Sequence, residues 1–560
     1  MRTPPGPALR ATAAGLVGAL LAGAGPSAAE DVAWCGTGPD GARHALALHA
    51  WAAAPTAAAV ARPDAPADGD ADGVALLADR GDLLVSRNPF DLDGRAVRLV
   101  PNGSGGYDPV SLSLPLDTPA TPLAIGEERA TAVDLPFAFP FYGQRQRTAL
   151  VSADGRVLFG SADTGTGEKG LGRFLAGPPS VAAFFTDLDP ARGGSVTALV
   201  QADRAALVWS AVPGGGQLNR NTFEIVLHAS GEIDLVYGTM ESREAVAGVT
   251  PGRTLELTRA DLSAAMPAGA AGALVERFSE TEKVDLVSVL HRFYASHPDA
   301  VEQVVVYTTR PLNPAPGTLA FELNIKNAVT GIGLEPMDAA AAWGSAGGLE
   351  SVVYMDAIDP YLGSDGFEFL AHEVGHRWLA RLRFRDGGGT LSSALLGRGA
   401  VHWSFFLDTQ ASVLEGNSIR DLGGGRFETV DFTRGYSPLD QYVMGLRAPQ
   451  EVPPIFYVDS PDDFRPSRPY KAGSSPEAGV TFSGARRDVR IEQVIAAMGP
   501  RLPPAGAAPT LLRQAYVLVS DAVAPATDVR KAAVARIRSR FEPYYLKATE
   551  GRGQVRTNLP

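Results

Sequence analysis

One cysteine, Cys35, is present among 560 residues. An internal disulfide is therefore excluded, and stability has to come from core packing or a bound metal. Lysine is also scarce: six of the 50 basic residues are Lys, and the rest are Arg. The chain carries a formal net charge of −12, so its overall field opposes a general role in binding phosphate backbones. Beyond the N-terminus no run approaches the roughly 18 uninterrupted apolar residues of a membrane-spanning helix. Long regular helices are not indicated either, because 62 Gly and 43 Pro interrupt the chain without a collagen-like period. A helical bundle is excluded, and 45% apolar residues suffice to build more than one core.

What is present begins with a targeting signal. Arg2 and Arg10 flank the start of an uncharged run from Ala11 to Gly25, which leads into Pro26-Ser27-Ala28-Ala29. Basic, apolar and then small residues form the pattern of a secretory signal peptide, so residues 1–29 are expected to be removed and the protein exported, extracellular or periplasmic. Residues 30–120 are irregular and read as a propeptide or a small β module. From 121 to 255 short strands alternate with turns: Asp154-Gly155 closes one hairpin and Ser230-Gly231 another. Residues 256–275, rich in Ala, Gly and Pro, read as a linker. Between 276 and 550 strands and helices alternate: strands at 301–309, 318–325 and 351–358, an amphipathic helix over 283–295, and a long amphipathic helical stretch over 367–384. Helices are further expected at 492–498, 511–522 and 528–544, giving a mostly α lower half.

The segment 121–255 resembles the nidogen-like β domains of extracellular proteins, on Leu135-Pro-Phe-Ala-Phe-Pro-Phe-Tyr-Gly143 and the hairpins just named. That resemblance implies adhesion or scaffolding. Within it, Asp187-Leu-Asp189 reads either as half of a calcium site or, more plainly, as a strand-ending turn with solvated carboxylates.

Chemistry concentrates in His372-Glu373-Val374-Gly375-His376. On a helix, positions i and i+4 share a face, so both imidazoles can meet one ion with Glu373 beside it. Zinc takes neutral imidazole nitrogens and, in catalytic sites, keeps an open position, while the carboxylate serves as general base. Metal ligands are thus expected at His372 and His376, with Zn2+ as the ion and Glu373 as the catalytic base. The third ligand stays open. The short metzincin pattern fails, because Leu379 and Leu382 stand where it needs Gly and His. His402 is taken provisionally, Glu415 in Val413-Leu-Glu-Gly-Asn417 is the main alternative, and Asp440 or Asp386 follow. Asp440 also fits a capping box begun by Ser437 and Pro438. Tyr436 and Tyr442 are candidate oxyanion donors. Trp403, Phe405 and Phe406 line either a cleft or a core.

Strands followed by the HExxH helix resemble secreted bacterial zincin-type metallopeptidases. The resemblance implies a multidomain chain, an all-β N-terminal module followed by an α+β zincin-like domain, that hydrolyses protein or peptide substrates with zinc. It implies no nucleic-acid partner and no membrane span once the signal is removed; the oligomeric state is open. The alternative expectation is an extracellular adhesion or scaffold protein whose zincin domain is structural or degenerate. Cys35-Gly-Thr-Gly-Pro-Asp40 resembles, with one extra residue, the cysteine switch of some metalloprotease propeptides; an incidental thiol is the plainer expectation.

Overall fold

The computed structural model describes residues 68–118, 121–163, 169–312, 320–462 and 470–560. The expected signal peptide and Cys35 lie outside them. Six helices occur among the described residues: α1 (Leu171–Ala176), α2 (Leu286–Tyr294), α3 (Phe367–His376), α4 (Pro438–Met444), α5 (Ile491–Met498) and α6 (Asp528–Ala548). The rest of the regular structure is strand, apart from four short 3-10 turns of helix at Ala340–Trp343, Asp359–Tyr361, Arg398–Ala400 and Pro449–Glu451. None of these helices is long and apolar enough to cross a membrane.

One unit is a layered α/β sheet. Its main path runs Gly69–Ala71, Val74–Ala78, Leu511–Ser520, Gln303–Thr308, Ser351–Ala357, Phe321–Asn324. The four inner strands are parallel, and the two edge strands are antiparallel to their neighbours. Parallel strands covered on both faces read as continuous apolar runs. Gln303–Thr308 and Ser351–Ala357 are accordingly buried at every position. Side chains alternate across the sheet: Val304 and Val306 face the core under α2, whereas Val305 and Tyr307 face the core built with α3 and α6. Helix α2 starts where Asp285 accepts the Ser288 amide at 2.9 Å, an N-cap that satisfies an otherwise orphaned donor.

The other large unit is a β-sandwich of two seven-stranded sheets. Phe139, Phe184, Leu207, Trp209 and Phe223 share its core, with the Trp209 and Phe223 rings stacked at 5.0 Å. Its place in the chain differs from a module that simply precedes the second domain. Leu84–Val85 leads into the sandwich and Lys283–Val284 leads out, and these two strands pair with each other. The sandwich is therefore inserted into the α/β unit. Helix α1, from the sandwich, docks on α2. A Cβ on Gly172 would lie 2.3 Å from the Ser288 amide nitrogen, so the approach requires glycine. Asp285 also accepts from Gly172 N at 3.2 Å and from Arg277 Nη1 at 2.6 Å, joining both units at one buried carboxylate.

Four expectations need correction. The described part of the 30–120 region, from residue 68 on, forms no separate module: Gly69–Ala71 and Val74–Ala78 are strands of the α/β sheet, and Ala96–Pro101 and Tyr107–Leu112 belong to the sandwich. Residues 256–275 are not a linker, because Leu257–Arg259 pairs in parallel with Ala273–Phe278 at the sandwich edge. Leu511–Ser520 is a central strand and not a helix; a buried apolar run has no amphipathic period with which to choose. The lower part is also less helical than expected, since it holds a four-stranded sheet ordered 417–423, 426–432, 481–489, 455–462.

Candidate metal centre

Helix α3 carries the HExxH segment in its last two turns and buries Leu370 through His376. It ends at His376, short of the expected 384. There the Trp378 and Leu379 amides both turn back onto the Gly375 carbonyl, at 3.0 Å each. Gly375 fits because a Cβ there would sit 2.7 Å from Leu414 Cδ2, in the very loop that follows His402.

The fold brings His372, His376 and His402 together. His376 Nε2 lies 3.0 Å from His372 Nε2, and His402 Nε2 lies 3.2 Å from the same atom. One ligand atom from each residue falls within 4.8 Å of the others. The opposite ring nitrogens are tied back to the main chain: His372 Nδ1 meets Val413 O at 2.8 Å, and His402 Nδ1 meets Arg398 O at 2.8 Å. Such bonds fix the tautomer so that the Nε2 lone pairs point inward. Burial is nearly complete, with His372 4% exposed and the other two 0%. It depresses the basicity of all three rings and brings His402 down to about 3. The rings are thus neutral donors at neutral pH.

A four-coordinate zinc with Zn–N bonds of 2.0–2.1 Å holds its nitrogens about 3.3 Å apart, close to the spacing found here. The same distances also allow hydrogen bonds between the rings, and Arg398 Nη2 donates to His402 Nε2, contacts that a bound zinc would replace. The residues present therefore fit zinc. Glu373, fully buried, adjoins them on α3.

The other candidates stand elsewhere. Glu415 Oε1 is 4.0 Å from His402 Nε2 and pairs with Arg398, whose Nη2 donates to it at 2.6 Å. Asp440 caps α4, accepting from Ser437 N at 2.7 Å, and takes the Trp403 indole N–H at 2.8 Å. Asp386 closes an exposed turn by accepting the Gly388 and Thr390 amides, at 2.9 Å each. Tyr436 donates to Ala371 O at 2.7 Å, and Tyr442 accepts the Arg501 amide at 3.1 Å. Trp403 packs in the core with α3, and Phe405 and Phe406 in the core of the four-stranded sheet.

Arg398 joins the site without any motif to signal it in the sequence. Its Nη2 reaches 2.9 Å from His402 Nε2, and its Nε lies 3.1 and 3.3 Å from the two Glu415 oxygens. Nothing periodic flags an arginine in a Gly-rich turn, and only its position four residues before His402 hints at proximity.

A second group lies in the sandwich, where Glu128, Asp154 and Asp187 offer carboxylate oxygens within 4.8 Å of one another. Lys169 Nζ is 2.6 Å from Glu128 and 3.4 Å from Asp154. Asp187 thus joins this group, while Asp189 accepts the Ala191 amide at 2.9 Å.

Residues 102–286 match a family model described as NIDO related. This segment, most of the sandwich, is a nidogen-like domain, and the match ends where α2 begins. No curated protein and no solved structure matches the chain.

Proposed function

We propose that the protein is an exported zinc-dependent metalloendopeptidase with an inserted nidogen-like domain. The observation that carries this reading is the convergence of three neutral, buried imidazole Nε2 atoms, two of them on the helix that also bears Glu373. His372, His376 and His402 would hold the metal, and backbone carbonyls keep two of these rings oriented. Zinc, when bound, supplies a Lewis acid that polarises a carbonyl and makes a water more acidic. Glu373 accepts a proton on its carboxylate and returns it to the leaving amine. Burial around the triad excludes bulk water, which strengthens every charge interaction in the site. Export rests on the basic–apolar–small pattern of residues 1–29.

The depth of the triad favours a second reading, an extracellular scaffold with a structural metal. A structural zinc is closed by four protein ligands, whereas a catalytic one keeps a position open. Peptide or casein cleavage by the zinc-loaded protein, with and without chelator, separates the two. Cleavage that chelator abolishes and zinc restores supports the peptidase; bound zinc without any cleavage supports the scaffold.

A further inference from the structure

We propose that a cavity at the seam between the sandwich and the α/β unit binds a free α-amino acid with an aliphatic side chain. The cavity measures about 250 Å³ and shares no residue with the metal centre. That is below the roughly 300 Å³ at which sites for drug-sized ligands begin, and it suits a ligand of single-residue size. The α/β unit contributes Asp82, Ser288 and His291 to its lining, and the sandwich contributes Leu175, Arg253 and Leu255. Seams between domains are preferred places for such sites.

Two of these residues carry polar atoms that the chain leaves unused. Asp82 and Ser288 are 8% and 5% exposed, yet Asp82 Oδ1 and Ser288 Oγ have no hydrogen-bond partner among the described residues. The neighbouring polar atoms are occupied: Arg292 Nη2 donates to Asp82 Oδ2, and the Ser288 amide donates to Asp285 at 2.9 Å. An unpaired buried carboxylate oxygen is costly, and a ligand ammonium brings three donors to satisfy it together with the hydroxyl. His291 does not oppose that charge. Its Nε2 meets Ala342 O at 3.0 Å, and burial lowers the basicity of the ring, which is neutral at neutral pH.

The sandwich supplies the complementary groups. Arg253 is exposed, and its guanidinium makes no ion pair among the described residues, so its fork is open to a carboxylate. The loop that carries it is pinned, because the Arg253 amide donates to Gly177 O and the Thr254 amide to Leu175 O, at 3.2 Å each. These bonds hold Arg253 at a φ of 48°, a region that non-glycine residues seldom occupy. Leu175 and Leu255 offer apolar surface to an aliphatic side chain. Ammonium, carboxylate and aliphatic body together define an α-amino acid. Because both units contribute, such a ligand ties the sandwich to the α/β unit and stabilises the folded chain.

The test is calorimetric titration of the full chain with leucine, leucinamide, N-acetylleucine and N-acetylleucinamide, wild type beside Ser288→Ala and Arg253→Gln. Wild type is expected to bind leucine most tightly and to gain melting temperature from it. N-acetylleucine, without the ammonium, should bind at least about tenfold more weakly, the worth of a charged hydrogen bond. Leucinamide, without the carboxylate, should lose about two- to fivefold, the worth of an exposed ion pair. Ser288→Ala should weaken leucine and leucinamide alike, by about two- to tenfold. Arg253→Gln should weaken leucine and leave leucinamide unchanged. Three results would overturn the proposal: no leucine binding to folded wild type, N-acetylleucine binding as tightly as leucine, or leucine binding that neither variant alters, as chelation of zinc by leucine would give. Should a variant not fold, the ranking of the four probes on wild type decides.

Discussion

In the sandwich, Glu128, Asp154 and Asp187 gather around an ammonium that the chain itself supplies, Lys169 at 2.6 and 3.4 Å from two of them. In the α/β unit, His372, His376 and His402 gather neutral nitrogens whose lone pairs face one another. Both are clusters of metal-binding residue types, yet their chemistry runs in opposite directions. Carboxylates repel as anions, and a buried lysine offsets part of that charge from within. Neutral imidazoles carry no charge to neutralise and offer nitrogen donors at zinc spacing instead. The family match falls on the first cluster and the HExxH segment on the second. Family likeness and candidate chemistry therefore occupy different units of one chain.

The strongest way to break this contrast is at Glu373. Glu373→Gln should fold and keep zinc, yet lose peptide hydrolysis by about 10²–10⁴-fold, the usual worth of a general base. Retained turnover of a fluorogenic peptide would remove the carboxylate from the chemistry.

Lys169→Met tests the sandwich side. It leaves carboxylates crowded without their cation, and truncating one partner of a buried ion pair costs about 3–5 kcal/mol. A lower melting temperature, partly recovered by calcium acting on oxygen ligands, is the expected result, with zinc content unchanged. A melting temperature equal to wild type would show that the ammonium does not hold the cluster together.

His402→Ala against Glu415→Ala sharpens the ligand assignment. Disturbing even the partners behind metal ligands weakens binding by about 10–100-fold, so His402→Ala should lose at least about a hundredfold in zinc affinity. Glu415→Ala should retain the ion. The reverse pattern in a competition titration would exchange their roles.

The smallest effect concerns pH. Glu322, on the edge strand of the α/β sheet, has its carboxyl pushed by burial from 4.5 up to about 7. A raised acid contributes stability while protonated, present below 4.5 and lost as pH rises through about 7. Unfolding free energy should thus decline over that window by on the order of 3 kcal/mol, and Glu322→Gln should flatten the slope. An identical slope in the variant would assign the dependence to other groups.

Much of the local structure was legible in the sequence because its causes are local. Ser437-Pro438 opens α4, and Asp154-Gly155 turns a hairpin. The insertion of the sandwich was not legible. Val74–Ala78 pairs with Leu511–Ser520 from the far end of the chain, and neither segment carries a mark of the other. Leu511–Ser520, a strand buried on both faces, shows no alternation that would set it apart from a buried helix.

The same division holds at the candidate site. The sequence alone set His372 and His376 on one helical face, with Glu373 between them, because 3.6 residues per turn leaves no other arrangement. The choice among His402, Glu415 and Asp440 belonged to tertiary structure. A side chain's direction depends on its partners, several of them distant in sequence: Arg398 takes up Glu415, Trp403 takes up Asp440, and His402 turns its Nε2 toward the helix. Spacing along a chain constrains neighbours on one helix, while packing alone decides which distant side chain completes a metal site.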